Sequence, residues 1–107
     1  MNQIAKTPNP PYYTVVFTSV RTAIDEGYAE TAEKMVALAS EQPGFLGVGS
    51  VRDESGLGIT VSYWKDEESI RKWKNHPAHQ RAQKFGKDKW YHGYKIRVAK
   101  VDKEYGY

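Results

Sequence analysis

Apolar and polar positions alternate along residues 12–20 (YYTVVFTSV), with Tyr13, Val15 and Phe17 on one side and Tyr12, Thr14, Val16 and Thr18 on the other. A period of two in a β-branched and aromatic run predicts a strand that is occupied on both faces. From 25 to about 42 the period becomes helical: Tyr28, Ala32, Met35, Val36 and Ala39 recur among Lys and Glu, and Pro43-Gly44 ends the run. FLGVGSVRD and LGITVSYW then read as two strands around the turn DESG. Asp66 is placed to cap a short helix, EESIRKWK, whose Glu67 and Glu68 suit the positive end of the helix dipole. Asn75 or His76 caps a second helix, which opens at Pro77 and is expected to stop at Gly86. The last strand, YHGYKIRVAKV, sets Tyr94, Ile96 and Val98 against Lys95, Arg97 and Ala99.

Strand, helix, strand, strand, helix pair, strand is the order of an α+β fold, a ferredoxin-like split βαβ with an antiparallel sheet and helices on one face. The 107 residues suffice for one domain, taken as 12–101. Residues 1–11 hold three of the five prolines and predict a flexible arm, and 102–107 form a tail. Helices on one side leave the other side bare, although both carry apolar residues such as Val16, Ile59, Val61 and Val98. A second copy is the natural cover, so a homodimer with sheets face to face is expected.

A net charge of +3 would suit nucleic acid, but Asp and Glu are interspersed with Lys and Arg throughout, so no nucleic-acid partner is expected. The absence of cysteine excludes disulfides, thiolate metal sites and a Cys nucleophile. No apolar run approaches the roughly 18 residues of a membrane span, and the N-terminus lacks an export signal. A cytoplasmic protein with no membrane partner is the expectation.

All three Trp and all three His fall between Trp64 and Arg97, which marks this stretch as the place for a pocket. His79 is the first choice as general base, because an imidazole titrating near 6.5 can remove a phenolic proton at neutral pH. Arg97 or Arg81 could stabilise the resulting oxyanion, and Gln83, one turn after His79, could orient a substrate. Trp64, His76, Trp90 and Tyr91 supply further lining. Each also has a structural reading: the tryptophans as core, His76 as a helix cap, the arginines as surface charges. His76 and His79 lack a third ligand nearby in sequence, so no metal site is expected. Gly47, Gly49 and Gly58 form no strand-to-helix phosphate fingerprint; glycines inside strands can instead leave room for a ligand or a facing side chain.

The element order together with QPGFLG, YWKDEESIRKWKNHPAHQRAQKFG and WYHGYKIRVAKV resembles the antibiotic biosynthesis monooxygenase family of dimeric α+β barrels. The resemblance spans roughly residues 12–101. It implies a pocket between sheet and helices and, in one branch, O2-dependent oxidation of a small aromatic substrate without a cofactor. In the haem-degrading branch the resemblance asks for an Asn on the first strand, a Trp on the helix after the third strand, and a His almost three turns beyond. Trp73 matches the Trp, which makes it a candidate catalytic residue with His79 and Arg97. Gln83 stands at the His position and residues 12–20 contain no Asn. Haem is therefore disfavoured, and no cofactor is expected. A non-catalytic small-molecule-binding or stress-response dimer remains the alternative.

Overall fold

A computed structural model describes residues 3–107. Four strands, β1 (Tyr12–Arg21), β2 (Phe45–Arg52), β3 (Leu57–Trp64) and β4 (Tyr91–Val101), form one antiparallel sheet in the order β2-β3-β1-β4. Three helices, α1 (Tyr28–Ser40), α2 (Glu67–Lys74) and α3 (Pro77–Phe85), connect them on one side. This is the α+β ferredoxin-like arrangement that the order of elements implies.

The expected caps form. The Asp66 carboxylate accepts the Ser69 backbone N–H at 2.8 Å, and His76 Nδ1 accepts that of Ala78 at 3.2 Å, with Pro77 opening α3. Hydrogen bonds from Ser69 hold the Asp66 carboxyl below its ordinary pKa. One boundary differs from expectation, and one helical turn was not expected. Helix α1 begins at Tyr28 rather than near 25, because Asp25 is engaged by Arg21 at 3.0 Å and Gly27 takes a left-handed φ of 77° before the helix. Helix α3 ends at Phe85 with Gly86 as its C-cap, as expected, but Gly86 at φ −60° leads on into a π-helical turn, Gly86–Trp90. That turn seats Trp90 in the core, 5% exposed, and delivers Tyr91 to β4.

Strand register divides the faces. Tyr13, Val15, Phe17 and Ser19 stand beside Trp64, Ser62, Thr60 and Gly58 on one neighbour and beside Lys100, Val98, Ile96 and Tyr94 on the other. This is the helix-covered face, since Tyr28 of α1 reaches Arg52 here. Thr14, Val16 and Thr18 share the opposite face with Tyr63, Val61, Ile59 and Arg97. One end of that face carries the N-terminal arm and the tail. Ala5 lies against Gly47, and the Glu104 carboxylate accepts from the hydroxyls of Tyr12 and Thr7. The rest is open, with Val51 and Ile59 exposed.

Candidate functional site

The local part of the site is made by the break between α2 and α3. Lys74 ends one helix and Pro77 begins the next, which folds His79 back onto Trp73 with stacked rings 4.5 Å apart. His79 Nδ1 lies 3.1 Å from the Trp73 carbonyl oxygen. A carbonyl only accepts, so Nδ1 carries the hydrogen and Nε2 keeps a basic lone pair. Burial lowers the His79 pKa, the Trp73 hydrogen bond works against that shift, and the neighbouring His76 adds to it. His79 is thus neutral at pH 7.

A second constellation assembles from four elements. Arg52 at the end of β2 donates Nη2 to Ser19 Oγ at 2.7 Å and to the Tyr28 hydroxyl at 3.3 Å, and Nη1 to the Ser19 and Gly56 carbonyls. No carboxylate lies within ion-pair distance of it among the described residues. Arg52 is therefore a cation held entirely by neutral acceptors. The Tyr91 hydroxyl donates to the Tyr28 hydroxyl at 3.4 Å. Tyr28 then accepts from both neighbours, and its own hydrogen stays available to a further acceptor. Burial, then the Tyr28 contact, pushes the Tyr91 pKa strongly up, so Tyr91 remains a neutral phenol. Arg21 lies over the Tyr28 ring, its Cζ 3.4 Å from the centroid.

Tyr91 also joins an aromatic surface. Its ring meets Phe17 at 5.6 Å, and Phe17 meets Tyr94 at 5.2 Å. A hollow of about 370 Å³ opens on Tyr91 and Tyr94, with Lys87 and His92 at its margin, within the usual size of small-molecule sites. Ile96 and Val98, on the helix-side face of β4, remain 40% and 49% exposed. An apolar aromatic surface is thus presented beside a set of phenols backed by a cation.

The remaining residues singled out from the sequence are dispersed. Trp64 is 1% exposed, donates its indole N–H to Ser62 Oγ and packs edge-on against Phe45. Trp90 donates to the Glu26 carbonyl and meets Phe85 and Tyr28. Gln83 is half-buried on α3. Arg97 pairs with Val16 on the face opposite the helices, so the sheet itself separates it from His79 and it cannot stabilise an anion formed there. At the haem-branch His position Gln83 offers a carboxamide, which does not fit an axial haem ligand. No cluster of three or more His, Asp or Glu suited to a metal occurs among the described residues.

Sequence reasoning missed Ser19, Tyr28 and Arg52 because they lie 9 to 33 residues apart, with no shared spacing. One trace was legible. A Cβ on Gly58 would fall 2.5 Å from Arg52 Cζ, so this strand glycine marks the space that the guanidinium occupies.

The model of the family described as "Antibiotic biosynthesis monooxygenase" matches residues 11–84. A Bacillus subtilis (strain 168) protein named YqjZ, itself uncharacterized, is 55% identical over 104 residues, covering 97% of this chain and 91% of its own. Among solved structures, SnoaB, a cofactor-independent oxygenase from Streptomyces nogalater, superposes with a TM-score of 0.76 at 12% identity, covering 89% of this chain and 97% of its own. PA3566 from Pseudomonas aeruginosa gives 0.71 at 14% identity, covering 92% and 100%. No helix among the described residues is long and apolar enough to cross a membrane. With the match running from the first strand through α3, this chain belongs to the antibiotic biosynthesis monooxygenase family.

Proposed function

We propose that the protein is a monooxygenase that uses no bound cofactor and oxidises a small aromatic phenol, hydroquinone or anthrone with O2. The observation that carries this reading is Arg52, a cation without a counter-ion, linked through the Tyr28 and Tyr91 phenols to an aromatic surface. Oxidation of such a substrate begins with loss of a proton to give an electron-rich anion. A donor that is positioned beforehand lowers the cost of forming that anion. The Tyr28 hydroxyl, polarised by Arg52, donates to the substrate oxyanion, while Phe17, Tyr91 and Tyr94 hold the ring. The proton passes to water at the open hollow, since the hydrogen bond and ring stack of His79 are with Trp73, away from this surface. For an anthrone, one atom of O2 becomes the new carbonyl oxygen and the other leaves as water. The substrate supplies all the electrons, so no external reductant is needed.

Oxygen uptake with a panel of hydroquinones and anthrones tests this. Wild type should consume O2 above the buffer rate and form the quinone, and Tyr28→Phe should lower kcat by about tenfold or more, the scale of a lost oxyanion donor. Uptake at the buffer rate with every substrate would remove the basis for the proposal. Saturable binding without uptake would favour the non-catalytic alternative.

The open sheet face supports a homodimer, the arrangement common in this family. Val51 and Ile59 leave apolar surface wet on a face that the helices do not reach. Ile59→Lys should shift the sedimentation coefficient from dimer to monomer.

A further inference from the structure

A second depression lies away from the aromatic surface, between α1 and α3. It has a volume of about 910 Å³. Two packed helices normally fill the space between them with interdigitating side chains. Here α3 contributes Ala78 and Ala82, Gly27 lies just before α1 and Thr31 in its first turn, and these small residues leave a gap beside Met35 and Leu38. Trp90 closes the inner end, and its ring separates the groove from Tyr28. Ile24 and Phe85 beside it are each 47% exposed, an unusual exposure for two large apolar side chains in one groove.

The charges are arranged unevenly. Lys34 on one wall and Arg81 on the other line the groove, with Lys89 beside Trp90, and none of the three has a carboxylate within ion-pair distance among the described residues. Glu26 and Glu41 flank the two ends of α1, so the middle of the groove is cationic. The groove follows α1 from Gly27 to Glu41, roughly 20 Å at 1.5 Å per residue, which suits an extended occupant better than a compact one.

We infer that this groove binds a free medium-chain carboxylate, its head between Lys34 and Arg81 and its alkyl chain running past Met35 and Phe85 toward Trp90 and Ile24. This site is separate from the proposed oxygenase surface, and its occupancy is read without any turnover.

Decanoate and decanol are the probes, followed by calorimetry on the full chain. Wild type should bind one decanoate per chain saturably. The double variant Lys34→Gln/Arg81→Gln should weaken decanoate by about tenfold or more while leaving decanol within about twofold, because only the acid uses the cations. Ala82→Phe should block both ligands; if circular dichroism shows it unfolded, Ala78→Leu on the same wall replaces it. The proposal is overturned if wild type binds no decanoate saturably, or if the charge variant binds it unchanged. It is also overturned if Ala82→Phe abolishes a dimer while wild type binds no decanoate, since a second copy then covers the groove.

Discussion

The Trp73–His79 stack and the Arg52–Tyr28–Tyr91 constellation are built in opposite ways. The first comes from seven residues of contiguous chain, folded back at a capped helix junction. The second joins the end of β2, the start of α1, β1 and the start of β4. In the first, a base becomes neutral because burial disfavours its charge. In the second, a full charge survives beneath the helical layer because every N–H in use meets a carbonyl or hydroxyl. A proton acceptor can thus be made by local chain geometry, whereas a fixed cation needs acceptors that only the assembled sheet and helices provide.

The largest effect separating the two should come from Arg52→Met. It strips Ser19 Oγ and the Gly56 carbonyl of a charged donor and leaves Ser19, 1% exposed, without it. Urea unfolding should show a loss of about 2–4 kcal/mol, the range for hydrogen bonds to a charged group plus a stranded polar partner. Trp73→Ala should cost less, about 2 kcal/mol, since the indole is only half-buried and full burial would cost about 3–5. The same variant should raise the His79 pKa, seen by NMR titration, by returning the imidazole to water; an unchanged titration would show that the stack is not what buries it. Tyr28→Phe should cost only about 1 kcal/mol, a neutral hydrogen bond. Its oxygen uptake should still fall about tenfold or more, because a stability loss of that size leaves the chain folded; uptake at the wild-type rate would make Tyr28 merely structural.

The smallest effect is the pH dependence carried by His79. Its pKa in the folded chain lies below the ordinary 6.5, so between those two values the unfolded chain binds more protons. Stability therefore rises with pH through that window and is fully present above it, and is lost as pH falls. His79→Gln should flatten this slope in unfolding experiments run from about pH 5 to 7. A slope that survives the substitution would assign it to other groups.

The fold was legible in the chain because its signals are local. A period of two in YYTVVFTSV, Asp66 and His76 at helix starts, Pro77 in the first turn and the DESG turn each act over a few residues. The π-helical turn after α3 was not: Gly86 ends the α-helix without turning the chain away, and the following turn is held by Trp90 packing into the core, which no local signal encodes. The site divides likewise. His79 and Trp73 could be singled out from sequence, and Tyr91 was found as part of an aromatic-rich stretch. The alternation of β4 already set Arg97 opposite Ile96, but which of those faces the helices would cover was decided by packing.

The sequence by itself determined the order of elements, the antiparallel sheet with one helical layer, and the resemblance to a monooxygenase family, because periodicity, caps and turns act between near neighbours. Only the tertiary structure decided that Arg52 lacks a counter-ion and meets Ser19, Tyr28 and, through it, Tyr91. Sequence separations of 24 to 63 residues between those partners are bridged by strand register and helix docking, which no local pattern records.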